Sequence, residues 1–143
     1  MLRLASRDKD IFDIAELYKL MLSELYPSET LKDDSEIALR VEKWFSNNND
    51  VFVFTIDHKT VAFCVASVDN TLLIRQKVYN VHNLYILKDY RKTSIFTIFL
   101  NTVKKKSNNS NAKAMWTATS IEMSNISKKI ATNVFSTFVA DWR

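Results

Sequence analysis

The chain has 143 residues, of which 47% are hydrophobic and 25% charged, and its formal net charge is +4. This balance excludes a disordered protein, and the length suits one ordinary domain rather than two. No apolar run reaches the roughly eighteen residues that a membrane-spanning helix needs, and the N-terminal residues are polar rather than signal-like. We therefore expect a single domain over residues 1–143 in a soluble, cytoplasmic protein.

Metal and thiol chemistry find little support in the sequence. The one cysteine, Cys64, lies in an apolar run, which favours a buried reduced thiol over a disulfide or a nucleophile. Together with His58 and His82 it shows no zinc-ligand spacing, so we expect no metal site. The dense basic run at 104–106 and Trp116 leave nucleic-acid binding open, but we do not favour it.

The chain contains no glycine and a single proline, Pro27. Turns that require a positive φ must therefore use Asn or Asp, which tolerate that conformation better than other residues. Asparagines cluster at 47–49 and at 108–111, with another at Asn70. These clusters predict loops.

Hydrophobic periodicity predicts ten elements in the order β, α, α, β, β, β, α, β, α, β. The predicted strands are 2–5, 51–56, 60–68, 72–87, 112–119 and 135–142, and the predicted helices are about 10–25, 34–45, 95–106 and 120–132. The strands flanking the turn at 57–59 indicate an antiparallel hairpin, with His58 exposed in the turn. The helix between the fourth and fifth strands predicts that these two run parallel.

The segment from Val78 to Lys106 looks like the centre of this arrangement. An apolar strand ending at Leu87 is followed by the charged turn 88–93 and then by an amphipathic helix. The first N–H groups of a helix are unpaired and point outward, so a strand, turn and helix of this kind can bind an anion.

This order of elements, with LYILKDYRKTSIFTIFL at its centre, resembles the GCN5-related N-acetyltransferase (GNAT) superfamily. In that family an apolar strand precedes Tyr-Arg and a glycine-rich pyrophosphate loop that opens a helix; Tyr90 and Arg91 match the dipeptide. The resemblance implies an α/β (α+β) fold with a mixed central sheet of about six strands and helices on both faces. It also implies that acetyl-CoA binds to the following residues: Leu84, Tyr85, Ile86, Arg91, Lys92, Thr93, Ser94 and Asn125.

Phe96 is the main departure from the family pattern, because it stands where the family has a small residue. Its ring either fills the space of a phosphate or turns into the core. Both possibilities remain open at the level of the sequence.

The resemblance also implies a catalytic set. Acyl transfer to an amine needs a base, a donor to the thioester carbonyl and an acid for the thiolate. In the family the donor is a backbone N–H of the fourth strand, here at Leu84–Ile86. The base is often a glutamate on that strand, where this chain offers only His82. The acid is usually a tyrosine on the last helix, where this chain offers Thr132 and has no tyrosine after Tyr90.

Two function classes follow from the resemblance. The first is a divergent N-acetyltransferase that uses acetyl-CoA and an amine substrate selected by the loops at 27–34 and 71–76. The second is an inactive GNAT-like scaffold that acts as a structural or interaction protein. In this class the chain itself would be a viral protein, such as one of a tailed bacteriophage, located in the virion or the host cytoplasm. The last strand is a potential exposed edge, through which a homo-oligomer could form.

Overall fold

The structure, a computed structural model, describes residues 1–70, 76–134 and 137–143, with the backbone alone for Val134. Its helices are α1 (Arg7–Leu25), α2 (Asp34–Ser46), α3 (Ile95–Asn109) and α4 (Ile121–Ile130), and a short 3₁₀ turn spans Lys88–Tyr90. Its strands are β1 (Leu2–Leu4), β2 (Asp50–Ile56), β3 (Lys59–Asp69), β4 (Val78–Ile86), β5 (Lys113–Thr117), β6 (Thr132–Val134) and β7 (Thr137–Ala140).

The strands of the described residues form one mixed sheet in the order β1-β2-β3-β4-β5-β7-β6. The β2–β3 hairpin is antiparallel as predicted. The β4–β5 pair is parallel, as the intervening helix α3 requires. The mixed α/β fold is therefore confirmed.

The helices cover both faces of the sheet. Helices α1 and α2 bring Ile14 and Val41 against Val53 and Phe63 on one face. Helix α3 and Met123 of α4 pack on the opposite face. Full burial of each large apolar side chain contributes about 1.5–3 kcal/mol, so the two clusters hold the helices firmly on the sheet. Among the described helices, none combines the length and apolarity needed to cross a membrane.

The ends of several elements differ from the prediction. Helix α1 begins at Arg7, directly after the extended N-cap Ser6, and α3 continues through Asn109 instead of ending at the lysines. The predicted last strand is a hairpin, β6 with β7, so the described sheet has seven strands. Residues 72–75 of the predicted strand 72–87 and Phe135 of the predicted last strand lie outside the described residues.

Of the four described residues with a positive φ, three are Asn or Asp, as the composition predicts, and the fourth is His58. Asn48, Asp57, His58 and Asn111 have φ values of 63°, 48°, 66° and 51°. Of these, Asp57 and His58 form the tip of the β2–β3 hairpin, where both central residues of a type I′ turn need a positive φ. His58 is exposed there, as predicted.

Phe96 lies in the core and not in the space of a ligand. Its ring is 2% exposed and belongs to the cluster beneath α3, together with Phe99 and Ile95. Of the two possibilities that the sequence left open, the structure shows the second.

We predict that Phe96→Ala lowers the free energy of unfolding by about 3–5 kcal/mol, because it removes a buried ring and leaves a cavity. The neighbouring Thr97 is exposed, and Thr97→Ala should change the same quantity by no more than about 0.5 kcal/mol. Urea denaturation of both variants measures the difference. Equal, small effects would mean that the ring is not packed as described.

Candidate functional site

Strands β4 and β5 separate shortly after they meet. Their parallel pairing is confined to Val78 with Lys113, Tyr79 with Ala114 and Asn80 with Met115. Beyond that point β4 continues along β3 while β5 continues along β7. We call the resulting gap the fork. It is bounded on one side by residues 81–86 of β4 and on the other by residues 116–119, which comprise the end of β5 and the two residues that follow it.

Two backbone carbonyls of β4 face the fork. The Thr119 hydroxyl donates to the Leu84 carbonyl at 3.4 Å, and Arg91 Nε donates to the Ile86 carbonyl at 2.9 Å. In an extended strand the N–H and C=O of one residue point to the same side, and successive residues alternate. The N–H groups of Leu84 and Ile86 therefore also face the fork, whereas that of Tyr85 faces β3.

The loop before α3 offers further backbone donors. Helix α3 has Ser94 as its N-cap, this residue makes no side-chain cap, and the first turn carries no acidic residue. Lys92, Thr93 and Ser94 are exposed, and Phe96 is turned away into the core. The Ile95 N–H donates to the Thr93 hydroxyl at 3.4 Å. The remaining N–H groups of the first turn and the positive end of the helix dipole make this N-terminus a favourable place for an anion.

The guanidinium of Arg91 ties the loop to two other elements. Besides Ile86, it donates to both Glu24 carboxylate oxygens, at 2.7 and 3.0 Å, and it lies 5.3 Å from the centre of the Tyr85 ring. The Tyr85 hydroxyl donates to the same carboxylate at 2.5 Å. We call Glu24, Tyr85, Ile86 and Arg91 the Arg91 clamp. It joins the last turn of α1, the end of β4 and the loop.

The clamp changes the acidity of its members. Partial burial raises the pKa of Glu24, but hydrogen bonds from Tyr85 and Arg91, with the charge of Arg91, outweigh it and hold that pKa below its ordinary value. Burial, followed by the hydrogen bond to Glu24, raises the pKa of the Tyr85 hydroxyl. Glu24 is thus a carboxylate and Tyr85 a neutral phenol at neutral pH.

The predicted cofactor residues fall into separate groups. Leu84 and Ile86 reach the fork through their backbones, and the exposed loop 92–94 lies at the start of α3. Tyr85 and the Arg91 side chain belong to the clamp instead. Asn125 is exposed on α4.

The two predicted catalytic residues are not brought together. His82 is exposed on β4, and its Nε2 lies 2.6 Å from the Ser67 hydroxyl. The prediction that Thr132 lies on the last helix is wrong: α4 ends at Ile130, Ala131 is extended, and Thr132 opens β6. A β-branched residue suits a strand. In the sheet, β5 and β7 separate β6 from β4.

Sequence reasoning missed Glu24, Ser67 and Thr119. The sequence did contain a signal for Glu24. An acidic residue in the last turn of a helix interacts unfavourably with the helix dipole, so its presence there indicates a cationic partner. Ser67 and Thr119 left none: their contacts depend on the strand register and on the path of the chain after β5.

Cys64 has no part in this site. Its side chain is completely buried in the cluster below α3, and this burial raises the pKa of the thiol. The inert, reduced cysteine expected from the sequence agrees with these surroundings.

Comparisons with known proteins point in one direction. The model of the acetyltransferase (GNAT) family matches residues 12–128. A predicted acetyltransferase from Clostridium acetobutylicum, solved with acetyl-CoA, superposes with a TM-score of 0.76 at 15% identity, over 94% of this chain and 91% of that one. An N-acetyltransferase from Staphylococcus aureus Mu50 superposes with a TM-score of 0.75 at 14% identity, over 100% of this chain and 98% of that one.

A third structure, the PaiA N-acetyltransferase from Thermoplasma acidophilum in complex with coenzyme A, gives a TM-score of 0.65 at 13% identity, over 97% of this chain and 95% of that one. At such identities these similarities concern the fold. No curated protein sequence matches the chain significantly.

We predict that Glu24→Gln lowers the free energy of unfolding by about 1 kcal/mol at pH 7, since it replaces charge-assisted hydrogen bonds at a half-exposed position. Because the pKa of Glu24 is lowered in the folded protein, this difference should persist above about pH 4.3 and shrink as the pH falls below it. Denaturation at several pH values measures it. Glu16→Gln, at an exposed position on the same helix, should change the free energy of unfolding at pH 7 by no more than about 0.5 kcal/mol.

Proposed function

Because the chain belongs to the GNAT family of acetyltransferases, we propose that it binds acetyl-CoA at the fork and transfers its acetyl group to an amine. One observation carries the proposal: backbone N–H groups of β4 face a gap in the sheet, next to a helix N-terminus whose N-cap side chain forms no capping hydrogen bond. Two structural neighbours solved with acetyl-CoA or coenzyme A support the choice of ligand.

The described residues fit this ligand. Coenzyme A has an extended arm with amide groups, and the fork-facing edge of β4 can pair with such an arm as it would with an added strand. Its diphosphate suits the N–H groups at the start of α3, near the exposed Lys92, Thr93 and Ser94. Asn125 would contact the ligand from α4. Arg91 contributes by holding the loop in place, since its side chain is engaged in the clamp.

Three tasks fall to the chain in the reaction, which forms an amide C–N bond and breaks a thioester C–S bond. The N–H of Leu84 donates to the thioester carbonyl as negative charge develops on its oxygen; a donor of this kind accelerates acyl transfer by about 10²–10³-fold. His82, two residues earlier on β4 and exposed, takes the proton of the incoming ammonium. The fork orients the two reactants.

Among the residues that the structure describes, no side chain is placed to donate the proton of the leaving thiolate. Thr132 is separated from β4 by two strands, and α4 contains no tyrosine. Thr119 brings a hydroxyl to the fork, but it is already hydrogen-bonded to the Leu84 carbonyl. We therefore propose that water supplies this proton, and Thr132 enters no step.

The lack of a leaving-group acid among the described residues also supports the second function class, the inactive scaffold. A chain in which no described side chain is placed as the leaving-group acid, and whose loop arginine is engaged in an internal ion pair, is also suited to a GNAT-like scaffold that binds a protein partner. Ligand binding separates the two functions, because the scaffold requires no acetyl-CoA.

We predict that coenzyme A binds to the unaltered chain and raises its melting temperature, and that Ser94→Glu weakens this binding at least tenfold. A carboxylate at this N-terminus favours the helix dipole, so the helix itself should not be destabilised while the diphosphate is repelled. Isothermal titration gives both Kd values. Asn109→Glu, at the exposed far end of α3, should leave Kd unchanged. No binding to the unaltered chain would favour the scaffold.

We further predict that the chain releases free coenzyme A thiol from acetyl-CoA when a panel of primary amines is offered, and that His82→Ala slows the release by about 10²-fold or more. A thiol reagent can follow the reaction, because the one cysteine of the chain is buried and will react slowly. His58→Ala, the matched change in the hairpin turn, should have no effect. Equal rates for the two variants would remove His82 from the mechanism.

A further inference from the structure

Ser67 and His82 form a hydrogen-bonded pair beside the base of the fork. Ser67 lies opposite Asn80 in the β3–β4 ladder, and Asn80 lies opposite Met115, the last residue of β5 that pairs with β4. These three residues form one row across three strands. His82 lies two residues beyond the row, where β5 has already left β4.

The backbone of β4 is irregular at this point. Asn83 is paired with Val65 and Val81 with Ala66, so His82 is an extra residue in the ladder. Such a bulge redirects side chains and is common beside active sites. It also brings Nε2 of the His82 ring to 2.6 Å from the Ser67 hydroxyl, diagonally across the two strands.

The pair lies on the face of the sheet that carries α1 and α2. Side chains alternate along β3, and Phe63 and Val65 pack under these helices, so Ser67 points to the same side. The helices do not cover it completely there, since Ser67 is half-buried and His82 exposed. An amine can therefore approach His82 from the face opposite α3 and α4.

We infer that Ser67 is a positioning residue for the base of the proposed acetyl transfer: its hydroxyl oxygen accepts the Nε2 proton of His82 and leaves Nδ1 as the nitrogen that takes the ammonium proton. This inference rests on the proposed function. A neutral imidazole has one protonated and one free nitrogen, and the hydrogen bond at one of them fixes which is free. The same bond restricts the rotation of a ring that would otherwise be mobile at an exposed position.

The first arm of the test observes the imidazole directly. The chain has two histidines, so ¹⁵N-labelled protein gives two ring patterns, and His58→Gln assigns them. We expect His82 in neutral solution to show a protonated Nε2, a free Nδ1 and a directly observed Nε2–H signal. Ser67→Ala should lose that signal by exchange with water and Ser67→Thr should keep it. A protonated Nδ1 in the unaltered chain would overturn the inference.

The second arm measures acetyl transfer. Ser67→Ala should lower kcat about tenfold and leave the KM for acetyl-CoA unchanged, whereas Ser67→Thr should retain most of the kcat of the unaltered chain. In a chain that already carries His82→Ala, Ser67→Ala should lower kcat no further. Ser46→Ala, which removes an exposed hydroxyl at the end of α2, serves as the matched control.

The outcomes separate the two proposals. If the unaltered chain transfers acetyl groups and Ser67→Ala changes neither kcat nor the ring signals, the role of Ser67 is wrong and the proposed function stands. If the unaltered chain gives no turnover with any amine, the proposed function fails and the role of the pair falls with it.

Discussion

The separation of β4 from β5 after Asn80 is the constraint on which the site depends. A strand that loses its neighbour exposes one edge of backbone donors and acceptors, and such groups must find partners in protein, water or ligand. In the part of the chain that the structure describes, side chains donate to two of the carbonyls on this edge: Thr119 to Leu84 and Arg91 to Ile86. The fork-facing edge is thereby left with donors, which suits the carbonyl oxygens of a thioester or an amide.

The Arg91 clamp explains how this edge stays beside the loop. One guanidinium nitrogen of Arg91 donates to both carboxylate oxygens of Glu24, and Nε donates to the Ile86 carbonyl, so that three elements far apart in sequence are connected. Arginine is suited to this task because its planar fork holds several acceptors in fixed directions. The acidic residue at the C-terminal end of α1 costs some helix stability, which the clamp offsets. Because the clamp links them, a movement of α1 would also displace the loop.

The order and type of the elements could be predicted because they depend on the local hydrophobic pattern of the sequence. The change of period at Val51 located the hairpin, and the helix after Leu87 made β4 and β5 parallel before any pairing was known. The site was only partly predictable because its geometry is nonlocal. The bulge at His82 and its contact with Ser67 depend on the β3–β4 register, and single-residue register shifts are invisible in one strand's own sequence. Thr132 was misplaced for a related reason: the end of α4 is decided by pairing of β6 with β7.

The absence of glycine in the loop is less damaging than the sequence suggests. Glycine serves such loops in two ways, by permitting positive φ and by lacking a side chain. The first is not needed, since Arg91 and Ser94 have φ of −72° and −79°, and the positive φ values of the described residues all lie outside the loop. The second is met at Phe96 by burial of its ring in the core. What remains is the bulk of Lys92, Thr93 and Ser94, whose side chains are exposed. Two of these are small and one is cationic, so in the proposed site the charge of Lys92 would partly replace the close approach that glycine gives an anion.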